Sequence, residues 1–400
     1  MIPEHVLAAL DQQLAPVDAA RLAAYPGESS TRQPVHTCYV PADAVVHGLV
    51  ASWGTTALAA LDEYGLPDLG LDPALVEQVL PRVRAKLAAE PVEDLRVDAE
   101  DGYRGSPQVE DDDVRAAAAV LAAEATRPPF LGVRAKSLEE PTRRRGVRSL
   151  DLFLTGLADA GRDRAIVTLP KVTAVEQVTA FLPVLDALQE TSGLALDLEL
   201  QVETPQAVLG ADGTATLARM LHAGAGRVTG LHYGTYDYSA SLGIAAAHQS
   251  SDHPAADSAK QAMQVAVAGT GARAVDGSTN VLPIGTTAEV HAAWRVHAGL
   301  VRRALERGFY QGWDLHPAQL VTRYVATYAF FRAALPAAAA RLSAYVSRVE
   351  GGVLDEPATA RALATVVLRG LDCGALDVAE VESATALDRA ALDTLAGRRR

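Results

Sequence analysis

Apolar and polar positions alternate in a repeating way along most of this chain. Short runs rich in Val, Leu and Ile, bounded by polar residues, read as buried strands. They fall at Thr37–Val40, Asp94–Asp98, Phe130–Arg134, Ala165–Leu169, Ala195–Val202, Arg227–His232 and Ala272–Asp276, with a last short one near Tyr310–Leu315. Between them apolar residues recur at helical spacing over Asp111–Ala125, Ser149–Ala160, Thr173–Thr191, Pro205–Ala223, Thr287–Arg307 and Pro317–Leu335. Asp111, Asp112 and Asp113 suit a helix start, where the backbone dipole is positive. Eight strands alternating with helices predict an α/β fold, a closed (β/α)8 TIM barrel. An open doubly wound sheet is the other candidate, but no G-x-G-x-x-G follows the first strand.

The pattern assigns residues 37–349 to the barrel and leaves two stretches outside it. Residues 1–36 read as a helix followed by a polar link from Pro26 to Pro34. Residues 350–400 open on Gly351 and Gly352 and continue with helical patterns at Glu356–Leu371 and Val378–Leu395, suited to a lid or an oligomerisation arm.

Composition narrows the function classes. A formal net charge of −13 argues against a nucleic-acid partner, because phosphate binding needs a clustered basic surface. Cys38 and Cys373 stand far apart with no paired spacing, so neither a disulfide framework nor a thiolate zinc site is indicated. No 18-residue apolar stretch marks a membrane span, and no basic region precedes an apolar run at the start. A cytoplasmic protein with no membrane partner is expected.

In a barrel of this kind reactive groups gather at the C-terminal ends of the strands. The fifth strand ends at Glu203, and the sixth leads through Gly234 and Thr235 to Asp237. Alone, each carboxylate reads as a cap or a surface group; on neighbouring strand ends, the pair suits a shared magnesium ion, with manganese as a substitute. The second strand ends Asp98-Ala-Glu100-Asp101-Gly102, either an acidic turn or the source of a general base. Arg134 and Lys136 end the third strand and Lys171 the fourth; such cations serve in salt bridges or address a substrate carboxylate or enolate. His316, fixed before Pro317, either caps the next helix or lines the site. Arg143, Arg144, Arg145 and Arg148 follow the third strand as a basic loop, facing solvent or the diphosphate of coenzyme A.

Read in order, these strand ends resemble a known pattern. The blocks are Cys38-Tyr-Val-Pro41, Asp98-x-Glu100-Asp101, Val133-Arg134, Leu169-Pro170-Lys171, Glu203-Thr204-Pro205, Gly234-x-x-Asp237 with Leu242-Gly243, and His316-Pro317-x-Gln319. Together they resemble the citrate lyase β-subunit and malyl-CoA lyase branch of the HpcH/HpaI aldolase superfamily. The resemblance implies a carbon–carbon lyase that binds magnesium through Glu203 and Asp237 and stabilises an enolate with Arg134. It implies small carboxylate or acyl-CoA substrates, 3-hydroxyacyl thioesters above all, and homo-oligomers, trimers or hexamers. Glu100 or Asp101 is the expected proton carrier, with an acid from the C-terminal extension as the rival. Lys171 is expected to assist the chemistry, and Lys136, Gly234, Thr235 and His316 to hold substrate.

The chain departs from that pattern in places. Lys136 stands where relatives commonly carry Asn, and Gly210 to Gly213 reads as an insertion. Tyr233, Tyr236 and Tyr238 crowd Asp237 in a way that would narrow the pocket. The other readings are a malate-synthase-like condensing enzyme, a phosphoenolpyruvate- or oxaloacetate-type keto-acid enzyme without coenzyme A, and a non-catalytic barrel.

Overall fold

The structure is a computed structural model and describes residues 2–124, 126–159, 161–347 and 356–398. Eight strands, β1 (His36–Pro41), β2 (Asp94–Asp98), β3 (Phe130–Arg134), β4 (Arg164–Leu169), β5 (Ala195–Val202), β6 (Val228–Tyr233), β7 (Arg273–Val275) and β8 (Gly312–Asp314), form one sheet. All neighbours pair in parallel, in the order β7-β6-β5-β4-β3-β2-β1-β8. Between the two ends of that order the Asp276 N–H donates to the Gln311 carbonyl at 2.9 Å, so the sheet curls into a nearly closed TIM barrel.

Fully buried aliphatics such as Val97, Val133, Val167, Leu198 and Leu231 recur along the strands, which is why the strands read as apolar runs. Polar side chains fill part of the barrel interior. Arg96 donates to Glu199 at 2.9 Å and also to Asp94, while His232 Nε2 lies 3.1 Å from Glu199. Charges sealed inside a barrel are tolerated when paired in this way.

The helices depart from expectation in instructive places. Two that the pattern did not single out, Leu49–Tyr64 and Pro73–Ala89, lie between β1 and β2; Asp72 caps the latter by accepting from the Ala74 N–H at 2.9 Å. The stretch expected as one helix from Pro205 to Ala223 is two, Pro205–Val208 and Thr216–Ala223. They are separated by a turn in which Gly213 takes φ +77° and Asp212 accepts from the Thr214 N–H at 3.1 Å.

The helix expected to begin at Ser149 begins at Arg143, so the basic run is helix rather than loop. Arg145 pairs with buried Glu110, and Arg148 pairs with Asp111 at 2.5 Å, both acids lying in the first turn of the helix Glu110–Ala123. Those ion pairs between adjacent helices account for a helix start that the dipole disfavours.

The N-terminal helix, Glu4–Ala24, buries none of its residues. The helix Gln319–Ser347 runs well past Leu335, and Pro357–Cys373, Val378–Thr385 and Arg389–Ala396 follow. Tyr328 donates to the Cys373 carbonyl at 2.8 Å and Arg332 Nη1 to Glu380 at 2.9 Å, which fastens those last helices to Gln319–Ser347. The boundary expected at 349–350 lies outside the described residues. Cys38 and Cys373 are both buried and free. Among the described residues no helix is long and apolar enough to cross a membrane.

Candidate active site

Parallel register builds the site. Because Asp98 and Arg134 are partners in the β2–β3 ladder, the two strand ends finish level. Arg134 then lays a two-pronged bond on Asp98, Nε to Oδ1 at 2.8 Å and Nη2 to Oδ2 at 2.6 Å. Its remaining edge, Nη1, lies 3.4 Å from Gln201 Oε1 and 3.5 Å from Glu100 Oε2. The guanidinium sits over the Tyr39 ring, 4.8 Å from its centroid. Burial would lower its affinity for the proton, but Asp98 outweighs that, so Arg134 is a permanently charged, rigidly aimed fork.

Lys171 follows β4 in the left-handed region at φ 51°, a conformation that a lysine adopts rarely. Its N–H donates to Glu203 Oε1 at 2.7 Å, a contact that helps to hold the unusual backbone. The ammonium donates to Glu100 and to Asp101 Oδ2 at 2.6 Å and lies 3.8 Å from Asp237 Oδ2. One lysine thus gathers four carboxylates from the ends of β2, β5 and β6.

Those carboxylates differ in exposure and in proton affinity. Glu203, 2% exposed, has its pKa pushed up to about 7 by burial, with Glu100 and Asp237 adding repulsion that Arg134 and Lys171 only partly offset. Burial likewise raises Glu100 and Asp237, with Asp101 adding to both. For Asp101 the bond to Lys171 outweighs the burial it suffers, and its pKa falls.

Gly234 lets the site be this tight. A Cβ there would stand 2.5 Å from Glu203 Cβ and 2.7 Å from Glu203 Oε2, so any side chain would displace the carboxylate.

The expected site residues divide. Arg134, Glu100, Asp101, Lys171, Glu203 and Asp237 converge on one mouth, with Gly234 beside Glu203. The others are held by other partners, Lys136 on the edge of the acidic turn itself. Lys136 donates to the Ala99 carbonyl at 2.7 Å and lies 3.2 Å from Glu110. Buried Thr235 donates to the Ser278 carbonyl at 3.2 Å. His316 Nδ1 accepts from the Ala318 N–H at 3.2 Å, a capping contact at the start of the following helix. Gln201 and Tyr39 gained no role from the sequence, and Asp98 only a share in the acidic run that ends β2. The signal for Asp98 was its place, level with Arg134 on an adjacent parallel strand.

Among the described residues no three His, Cys, Asp or Glu side chains stand ready around one metal position. The donor chemistry of Glu203 and Asp237 nevertheless fits magnesium, which takes one or two protein carboxylates and fills its other positions with water and substrate oxygens. Buried Glu203 and half-exposed Asp237, both with raised pKa values, are also groups that a cation would relieve.

On the same rim a groove of about 770 Å³ runs between the helices that follow β3 and β4. It is lined by Leu138, Val147, Phe181 and Val184, by Arg143 and Arg144, and by Glu139 and Glu176. Arg145 and Arg148 are held in ion pairs instead, so the basic run splits in two.

The profile of a family described as a domain of unknown function (DUF6986) matches residues 14–400. No curated protein matches the sequence. Among solved structures, a citrate lyase from Burkholderia xenovorans LB400 shares 20% identity at a TM-score of 0.61, over 89% of this chain and 97% of that one. A malate synthase from Haloferax volcanii shares 16% at 0.51, over 75% and 76%. The CitE protein of Mycobacterium tuberculosis, in complex with magnesium and acetate, shares 19% at 0.45, over 74% and 91%. The first of these likenesses agrees with the TIM-barrel fold.

Proposed function

We propose that this chain, which belongs to the DUF6986 family, is a magnesium-dependent carbon–carbon lyase or aldolase acting on a small carboxylate substrate, probed best as a 3-hydroxyacyl thioester. One observation carries the reading: Arg134, Lys171 and four carboxylates, two of them buried with raised pKa values, meet where a barrel performs its chemistry. Magnesium held by Glu203 and Asp237 would supply a Lewis acid for the oxygens of a 2-keto or 2-hydroxy acid unit.

The chain's own residues do the rest. Arg134, locked by Asp98, presents Nη1 to the oxygen on which negative charge develops as the carbon–carbon bond breaks or forms. Glu100 lies between the Arg134 and Lys171 cations and is the favoured carrier of the proton, with Asp101 beside it as the alternative. Lys171 holds the acids together and keeps Asp101 ionised. The groove sets Arg143 and Arg144 beside apolar side chains, which suits a diphosphate with an organic tail, although Glu139 and Glu176 also line it and offset part of that charge.

The test is a calorimetric magnesium titration, followed by a panel of 3-hydroxyacyl-CoA thioesters, their free acids and 2-keto acids, with products identified by mass spectrometry. Saturable magnesium binding and metal-dependent cleavage of a thioester are expected. No magnesium binding, or turnover that survives chelation, overturns the metal assignment. Release of free coenzyme A from acetyl-CoA with glyoxylate identifies the condensing reaction instead.

A further inference from the structure

The opposite end of the barrel carries a second concentration of charge. Arg273 opens β7, so it lies at the floor, away from the mouth. Next to it is a cavity of about 240 Å³, closed by the linker after the N-terminal helix and by the C-terminal helices. Its walls include Arg273, Arg369 and Arg398, the hydroxyls of Ser29 and Thr31, and one carboxylate, Glu28.

The arginines are incompletely matched. Arg273 Nη2 donates to the Thr31 carbonyl and to Thr31 Oγ1, both at 2.7 Å, and makes no ion pair among the described residues. Arg369 stacks on Tyr310 at 4.2 Å and donates to Gln33. Glu28 lies 3.6 Å away, and the buried Arg369 Nε has no hydrogen-bond partner among the described residues. Arg398 is balanced from behind, by Asp372 at 3.0 Å and Asp393 at 3.8 Å, and Asp372 is shared with Arg389. Burial first, then Arg369 and Arg398, push the Arg273 guanidinium down to about 10, with Glu199 and Asp372 offsetting only part of that. Like charges this crowded destabilise the fold unless an anion sits among them.

We propose that this cavity binds a phosphate group, free or as a small monoester, and that the bound anion ties the linker and the C-terminal helices to the barrel floor. Three guanidinium groups arrive from a strand, a helix and the residue after the last helix's Gly397 cap. That arrangement suits an anion whose oxygens point several ways, and arginine forks match phosphate in charge and geometry. Arg369 Nε, without a partner among the described residues, and whichever of the mutually bonded Ser29 and Thr31 hydroxyls is not the donor leave donors for its oxygens. A planar carboxylate would use fewer of them.

The experiment titrates the full chain with inorganic phosphate, glycerol phosphate and malonate at constant ionic strength, by calorimetry and thermal melting, with chloride as the control. Saturable phosphate binding with a rise in Tm is expected, weakened about tenfold or more in Arg273→Gln and in Arg369→Gln. Magnesium binding at the mouth stays as in the parent. Should either variant fail to fold, Ser29→Glu places a carboxylate in the cavity and should abolish phosphate binding. Glycerol phosphate binding as well as inorganic phosphate marks a monoester site; inorganic phosphate alone marks a site for the free ion. No saturable binding, malonate binding as tightly as phosphate, or a loss of binding in Arg134→Gln at the other end of the barrel would each overturn the proposal.

Discussion

Two clusters of buried charge lie at strand ends in this barrel, and they differ in how completely each satisfies itself. At the end of β8, Asp314 accepts from Arg323 Nε at 3.0 Å, Arg323 Nη2 at 2.9 Å and His297 Nε2 at 3.0 Å, with His36 Nδ1 3.3 Å away. Burial pushes that carboxyl up, yet Arg323 and the histidines outweigh it and hold the pKa well below the usual range. At the mouth, Glu203 accepts one backbone N–H, from Lys171, and its pKa climbs to about 7 because burial is not compensated. The first cluster is nearly closed: its carboxylate is fully engaged, and His36 Nδ1 alone of its named atoms lacks a hydrogen-bond partner among the described residues. The second is open, with charge that a metal or substrate would settle, and this difference separates a structural knot from a candidate site.

The sharpest way to break that distinction is at the mouth. Glu203→Gln or Asp237→Asn should abolish magnesium binding and lower turnover by on the order of 10³ or more, while stability stays within ~1 kcal/mol of the parent. Magnesium calorimetry and a denaturant melt on the same variants check both halves. A variant that unfolds instead would move the mouth into the structural class.

At the closed cluster the balance should reverse. Asp314→Ala leaves Arg323, His297 and His36 buried without their anion, and a loss of ~3–5 kcal/mol is expected, read as a shift in the urea midpoint. A loss under ~1 kcal/mol would mean that the knot is slack. The same carboxyl gives a pH signature. Its folded pKa lies below the unfolded value near ~3.9, so in between the unfolded chain holds a proton that the folded one does not. The stabilisation is therefore complete above about pH 4 and is lost as pH falls through the folded pKa. Asp314→Asn, melted between pH 5 and 2, should reduce the acid-side slope by up to about 1.4 kcal/mol per pH unit. An unchanged slope would assign acid sensitivity to other carboxylates.

This contrast also explains what the sequence could and could not reveal. Strands such as Asp94–Asp98, Phe130–Arg134 and Ala195–Val202 were legible because burial on both faces writes an apolar run that ends at a polar residue. Glu203, Asp237, Arg134 and Lys171 were legible as candidates because they sit at those ends. The grip of Asp98 on Arg134 was not, since it follows from register between strands separated by a helix. Nor was the left-handed backbone of Lys171, which only the assembled mouth sustains. The contact of Lys136 with Glu110 was not legible either, because Glu110 comes from a helix that no local pattern links to it.

The smallest effects test whether the distinction holds within a single helix turn. Arg145 and Arg148 are engaged, the former with Glu110, which Lys136 and Ser149 also contact. Arg143 and Arg144 line the groove beside the mouth. Arg145→Ala should destabilise by ~1–3 kcal/mol, because buried Glu110 loses a charged partner though not its last one. Arg148→Ala, at a pair open to solvent, should fall within ~1 kcal/mol of the parent. The double change Arg143→Ala with Arg144→Ala should leave the melt within ~0.5 kcal/mol, as for surface positions away from packed features. If the groove receives the coenzyme A diphosphate, that same double variant should raise KM for a thioester several-fold with kcat little altered, since the lost contact binds ground and transition states alike. Equal KM values would leave the groove as ordinary surface and turn the substrate towards the free acid; a fall in kcat without a rise in KM would place the two arginines in the chemistry itself.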